Sequence, residues 1–488
     1  MGEDVEVRRG LVLNLVSNVM FFLCGYVVHF FLGNTLSAAE YGIVGTIMTV
    51  LDFEYMFLSN GARQSIAKEI SLHRYDVRDV ILKSLGFQLI IIAFFFAVNF
   101  VGAPVLSSVL NDHTLEFYFR FAAFLIPANG LFVLLLGIND GLHRFSTGAI
   151  INTVYPIAKL SVIPLVLFLF QDNAVLGMEV GYLLALLISI ILGLVLLVPA
   201  RSELANRSGD KIRFSVVARN TLSFSFFFIM VSLVLSVDTL VVKSVVSPSS
   251  MAGYYTGAVN LGKIPYYLVS AFCTIILPVV SKKVGEKDIT GGIGQVKKFI
   301  ALICAFILPI PIMISASSTS LLTSFYHAEY QKAAVALSCL AFSSFFMGIT
   351  VLLNMVMSSF SQSHFSDILS VVSLGIVIPL FIVSARLGGI SAIAIASVSC
   401  TALTMLISYC VVIRKTGNVM SRTAAKSIGI NLILWISIYI LFRTVHIEGL
   451  FMVGLTYAGI LLVYLGALIL TGTVNVPLRM LHRERRHQ

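Results

Sequence analysis

Apolar runs of about twenty residues recur along almost the whole chain, and they limit what it can fold into more than any other feature. A helix rises about 1.5 Å per residue, so each run is long enough to cross a hydrocarbon layer about 30 Å thick. Such runs lie near 11–33, 42–61, 80–102, 115–137, 148–170, 175–198, 220–243, 254–278, 299–319, 333–357, 366–385, 390–412, 428–445 and 450–472. Their breaks carry turn residues and charge, as at Gly102-Ala103-Pro104 and Gly388-Gly389. Only 11% of the residues are charged and 58% are hydrophobic, whereas a soluble domain carries about 25% charge to face water. The expected fold class is all-α, a polytopic membrane protein of about fourteen transmembrane helices. The first run follows Arg8 and Arg9, exceeds a signal-peptide core in length and lacks a small-residue cleavage site, so it reads as a spanning helix.

Charge asymmetry tests that count. With the N-terminus placed in the cytoplasm, 26 of the 33 Lys and Arg residues fall in cytoplasmic segments, from Arg8 to the terminal Arg486. The outer segments hold only Lys243, Lys332, Arg386 and Arg443. One helix more or fewer would invert every later loop, so the pattern supports an even count with both termini cytoplasmic in a plasma membrane. The inner turn near 357–365 carries no Lys or Arg and is the weakest point of this topology. The net charge of +10 is thereby explained by membrane topology, and no basic polar domain for nucleic acid exists.

The longest hydrophilic interruptions, near 199–219 and 279–298, are too short for a soluble catalytic domain, so function must be built from helices within the bilayer. Cys24, Cys273, Cys304, Cys339, Cys400 and Cys410 lie in apolar runs without metal-site spacing, and no metal or disulfide framework is expected. The sequon Asn206-Arg207-Ser208 falls in an expected cytoplasmic loop and reads as chance, and the basic tail Leu478–Gln488 is expected to rest on the anionic inner leaflet. Segments 40–69 and 253–283 share a Tyr-Gly or Tyr-Tyr start, a small-residue helix and a basic end, a trace of internal duplication. The basic loop near 199–219 then separates six helices from six, a recurrent transporter plan. The expected division is an N-terminal six-helix lobe over 1–205, a second over 206–415, and two additional helices with a basic tail over 416–488.

Charges inside spans are informative because each costs about 2.5–3.5 kcal/mol on insertion scales. Lys159 lies midway along the fifth run between Pro156 and Pro164, Lys263 lies in the eighth, and Arg120 in the outer part of the fourth. Their functional reading is a cationic cavity for an anionic substrate; the alternative is that the lysines pair with internal carboxylates and Arg120 snorkels outward. Asp52 and Glu54 in the second run and Asp238 in the seventh are the candidates for those pairs or for binding a coupling ion. Two residues apart, Asp52 and Glu54 point about 200° apart on a helix, so one should face the cavity and the other a neighbouring helix. Glu179 reads as interfacial. The stretch Gly257–Lys263 resembles a phosphate-binding loop, but it lacks the final Ser/Thr and a preceding strand, so nucleotide binding is rejected. Gly137/Gly141, Gly177/Gly181 and Gly253/Gly257 have the spacing that lets helices approach closely.

Several stretches resemble the polysaccharide and lipid-linked oligosaccharide flippases of the MOP superfamily, which also contains the MATE exporters. They are Leu32-Gly-Asn-Thr-Leu-Ser-Ala-Ala-Glu-Tyr-Gly42, Leu58-Ser-Asn-Gly-Ala-Arg-Gln-Ser-Ile-Ala-Lys-Glu-Ile70, Phe325-Tyr-His-Ala-Glu-Tyr330 and Leu387-Gly-Gly-Ile-Ser-Ala-Ile-Ala-Ile-Ala-Ser397. The resemblance implies two six-helix lobes working by alternating access, the last two helices being an addition, and a prenyl-(pyro)phosphate-linked glycan as substrate. Where family members carry a basic residue in the second helix, this chain has acidic Asp52 and Glu54, so no basic binding residue is carried over there.

The sequence thus leads to a flippase for a lipid-linked oligosaccharide or cell-wall or capsule precursor, with Lys159, Lys263 and Arg120 binding substrate. Its expected partners are the lipid-linked glycan, the bilayer and glycan-assembly enzymes, not nucleic acid. No cofactor or catalytic residue is expected, and any coupling would be to a proton, a sodium ion or the membrane potential. The alternative is a cation-coupled multidrug exporter of the MATE type, whose pocket would favour carboxylates over lysines. A membrane-embedded polymerase or glycosyltransferase is the reading from another class; the outer loop near 103–114 offers it only Asp112 and His113.

Overall fold

In the computed structural model, residues 2–71, 74–200, 210–359, 363–445 and 447–473 are described. The sequon 206–208 and the basic tail 478–488 lie outside them. The described residues form helices and the connections between them, with one isolated bridge between Tyr75 and Asp210. This is the all-α membrane architecture expected, since in hydrocarbon a helix alone pairs its backbone within one segment. Ten helices among the described residues are long and apolar enough to cross a bilayer by themselves, and Val19–Thr35 forms a shorter apolar one. One of the ten, Asp367–Thr416, is two segments joined at Gly388-Gly389. There Gly389 adopts φ +61°, a conformation that L side chains rarely enter.

By compactness the chain forms two units, residues 1–256 with 370–389, and residues 257–369 with 390–488. Residues 210–256, which follow the expected division at 205/206, belong to the first unit.

In the first unit, helix Ala38–Met56 starts at a capping box. The Ser37 hydroxyl accepts from Glu40 N, and the Glu40 carboxylate accepts from Ser37 N at 2.9 Å. Its glycines then admit a neighbour. A Cβ on Gly42 would stand 2.9 Å from Gly253 N, one on Gly45 would meet the Thr256 side chain, and one on Gly253 would meet the Ala38 carbonyl. Helices 38–56 and 250–262 therefore touch backbone to backbone, the close approach that small residues allow in membranes. The other two glycine pairs work similarly: Gly141 lies against Ile70, and Gly181 against Val162. Helix 38–56 continues into Arg63–Ser71 through a π-helical turn, Phe57–Ala62. The Ser225 hydroxyl donates to Phe57 O at 3.2 Å inside this turn, and beyond it Arg63 Nε pairs with Asp140 Oδ2 at 2.7 Å.

In the second unit, helix Ile264–Gly285 packs on Ala334–Ser359; of the last two helices, Arg422–Thr444 docks on the segment 289–316 and Leu450–Leu470 packs mainly on Ser318–Phe325. Two polar clamps mark that docking. Asn431 Nδ2 donates to Cys304 O at 3.0 Å and to Tyr464 OH at 2.8 Å, while Tyr464 OH donates to Ala305 O at 2.8 Å. Ser317 Oγ and Tyr457 OH share a 2.5 Å hydrogen bond, beside the apolar cluster of Ile312, Met313, Ala316 and Ile438. In the absence of water such interhelical bonds fix register more than they add energy, each worth about 0.6 kcal/mol on average.

The glycine contacts yield a direct test. Gly253→Val should lower the thermal unfolding midpoint of the detergent-purified protein, at a cost of about 1–3 kcal/mol for overpacking. Gly459→Ala, at a position where a Cβ meets nothing within 4 Å, should leave the midpoint unchanged or raise it.

Candidate functional site

Lys159 is the last residue of helix Phe145–Lys159, which contains Pro156 and is followed by a short turn that ends at Pro164. These prolines interrupt the helical hydrogen-bond ladder and end regular helix where the lysine emerges. Its ammonium lies 4.0 Å from the ring centroid of Tyr182, 5.0 Å from that of Tyr155 and 5.7 Å from that of Phe21. Each ring has a local reason to be there. Tyr155 is one turn before Lys159 on the same helix. Tyr182 comes from helix Ala174–Leu197, which Gly181 lets approach Val162 closely. Phe21 comes from helix Gly2–Thr35, held to 145–159 by a 2.8 Å bond from Asn152 Nδ2 to Ser17 Oγ.

The cage stabilises the cation through the negative faces of the rings. Among the described residues no carboxylate stands within 4 Å of Lys159. The charge is therefore held without being neutralised. Asp52 is exposed and lies within electrostatic range of Lys159. Glu54 points elsewhere: it is buried, and Asn99 Nδ2 of helix Val77–Phe100 donates to its Oε1. The two carboxylates diverge as their spacing requires.

The remaining candidates are spread out. Asp238 is buried and accepts from Tyr255 OH at 2.8 Å and from Thr239 N at 2.7 Å. Arg120 sits on an exposed helical face, paired with Glu116 one turn away at 2.7 Å. Lys263 is half-buried in the second unit, at the break between helices 250–262 and 264–285. It forms no ion pair among the described residues.

Two features had no clear signal in the sequence. Tyr155, four residues before Lys159, could have been found by helical spacing, but Tyr182 and Phe21 arrive from other helices. Glu179, expected at an interface, is fully buried, and neither carboxyl oxygen has a hydrogen-bond partner among the described residues.

Elsewhere in the first unit, Lys243 Nζ pairs with Asp112 Oδ2 at 2.6 Å, the lysine side chain being 2% exposed and the aspartate 20%. Asn111, in a left-handed conformation, donates to Ser244 O at 2.6 Å beside it. Burial alone would raise the Asp112 carboxyl, but the hydrogen bonds and charge of Lys243, with bonds from Thr114, hold it below the ordinary carboxylate value.

This arrangement of helices matches the fold of solved transporters of the MOP superfamily. It is similar to the lipid II flippase MurJ in an inward closed conformation, with a TM-score of 0.72 and 15% identity over 94% of this chain and 98% of that one. It is also similar to an inward-facing MATE family multidrug resistance transporter, with a TM-score of 0.65 and 14% identity over 84% and 98%. A MOP superfamily transporter from Pyrococcus furiosus, described as having a binding pocket of reverse polarity, follows with a TM-score of 0.56 and 13% identity over 86% and 96%. Residues 7–284, more than half of the chain, match the family of polysaccharide biosynthesis proteins, and the chain belongs to that family. No curated protein matches it by sequence.

The Asp112–Lys243 pair generates a pH test. Because the folded carboxyl sits below its unfolded value of about 3.9, the pair contributes fully above about pH 4 and its contribution is lost as pH falls through the folded value. Asp112→Asn should lower stability near pH 7 by about 2–3 kcal/mol, under the full buried-pair range because Asp112 is partly exposed. The gap between thermal melts of both proteins should be constant from pH 7 to about pH 4 and narrow as pH falls further toward pH 3; a gap that stays constant throughout would contradict the assignment.

Proposed function

We propose that this chain is an alternating-access flippase that carries a prenyl-(pyro)phosphate-linked oligosaccharide, or a related cell-wall or capsule precursor, across the bacterial plasma membrane. The observation that carries this reading is the caged ammonium of Lys159. A cation held by three rings, with no carboxylate neutralising it, keeps its field for an anionic group. A phosphate of a lipid-linked sugar meets that requirement, and its glycan needs the same polar surroundings while the prenyl tail stays in lipid. Family membership and the flippase neighbour support the same reading.

In this mechanism Lys159 attracts the phosphate that arrives from the inner leaflet, and Lys263 is a further candidate for binding the anionic substrate. Arg120 is a weaker candidate, since Glu116 already compensates it. Asp52, exposed and within range of Lys159, tunes the site and returns the lysine to its resting place once the phosphate leaves. Asp52, Glu54 and Asp238 are the groups through which a proton or sodium ion would couple, unless the membrane potential drives transport. Both termini face the cytoplasm, the sugar-bearing headgroup moves outward, and glycan-assembly enzymes supply and remove the substrate. No catalytic group takes part.

The second reading, a cation-coupled exporter of the MATE type, draws on the buried Glu54 and Glu179 and on the MATE neighbours. An organic cation would have to displace or share the cage with Lys159, which repels it.

The two are separated by Lys159→Ala and Lys159→Arg. Under the flippase reading, Lys159→Ala lowers glycan export in a complementation assay at least tenfold, the order expected for removing a charged contact, and lipid-linked intermediates accumulate. Lys159→Arg retains part of the export. Unchanged export in Lys159→Ala, or altered drug resistance with normal glycan, would sink it.

A further inference from the structure

A second charged site lies in the second unit, far along the sequence from Lys159. A cavity of about 390 Å³ is lined by Lys297, Lys298, Leu302, Phe306, Ser421 and Thr473, among others. Two stripes of helix Ile289–Phe306 form one wall. Lys297, Ala301 and Ala305 follow one another at four-residue steps, as do Lys298, Leu302 and Phe306. That spacing stacks side chains along a helix face, so each stripe is basic at one end and apolar beyond it. The alanines leave a shallow channel. Leu302 and Phe306, each 43% exposed, present its apolar edge.

The facing wall is the start of helix Arg422–Thr444. Ser421 caps it, its hydroxyl accepting from Ala424 N at 3.0 Å, and Thr423 also lines the cavity. A helix of this length carries positive partial charge at its start. Neither Lys297 nor Lys298 forms an ion pair among the described residues. Two adjacent lysines and a helix N-terminus thus line one cavity beside an apolar track, and among the described residues neither lysine is paired with a carboxylate.

We infer that this cavity holds the phosphate of an anionic glycerophospholipid of the cytoplasmic leaflet, with an acyl chain lying along the 301–306 track. The charge distribution of the sequence places residues 297, 298 and 421–423 on the cytoplasmic side, where anionic lipid is available. The amphipathic form of the site matches a lipid, because a free phosphate has no use for the apolar stripes. The occupant also ties together the helices that meet here, 289–306, 422–444 and the end of 450–470. The inference is independent of what the protein transports.

Native mass spectrometry of the full-length protein, titrated with phosphatidylglycerol and with phosphatidylcholine of the same acyl chains, tests it. The wild type should prefer phosphatidylglycerol on the order of tenfold, and the double variant K297Q/K298Q should lose most of that preference. Ala301→Leu, which fills the track and leaves both charges, should weaken both lipids together. If the double variant does not fold, K298Q alone, at an exposed position, should still reduce the preference severalfold. An unchanged preference in these lysine variants overturns the site. Displacement of phosphatidylglycerol by millimolar inorganic phosphate, or tighter binding of geranylgeranyl phosphate, overturns its assignment to a glycerophospholipid.

Discussion

Hydrocarbon offers no hydrogen bonds, and the rest of this structure depends on that fact. Every backbone amide must be paired within its own helix, so segments meet only through side chains or through the absence of them. Where Gly42 faces Gly253 and Gly253 faces Ala38, backbones themselves come into contact. Some buried polar groups find partners across helices, as Asn431 does with Cys304 and Tyr464. Once water is excluded, an ammonium such as Lys159 needs either a carboxylate or ring faces, and this chain supplies rings.

That choice shapes what the site can do. A salt bridge would cancel the charge of Lys159 and leave a neutral patch. Three aromatic faces stabilise it weakly and from the side, and the exposed Asp52 adds only a longer-range attraction. The lysine is thereby stable at rest yet open to a stronger anion. Lys243 is the contrast: buried and closed onto Asp112, it serves as a structural fastener. The same residue type performs two tasks because the surrounding groups differ in how completely they neutralise it.

Much of the fold was legible because it follows from local rules. The length of an apolar run sets a crossing, and the break at Gly388-Gly389 is visible as two adjacent residues without side chains. The divergence of Asp52 and Glu54 follows from 100° per residue. The glycine pairs announced close contact but not their partners, since Ile70, Val162 and Ala38 are brought by other segments. For the same reason the cage around Lys159 was only one-third legible: Tyr155 is local, whereas Tyr182 and Phe21 are not. Glu179 was misjudged because its neighbours along the chain are apolar, and only packing decides whether such a carboxyl faces headgroups or the protein interior.

The π-helical turn Phe57–Ala62 has a consequence for how this chain can vary. Such a turn accommodates one residue more than an α-helical turn, so it acts as a phase counter between the parts of the 38–71 helix on either side. Upstream lie Asp52 and Glu54; downstream lies Arg63, paired with Asp140. Removing a single residue from the turn would rotate one part against the other by about 100°. The carboxylates and Arg63 could then no longer both keep their neighbours, so the length of this turn sets the phase between them.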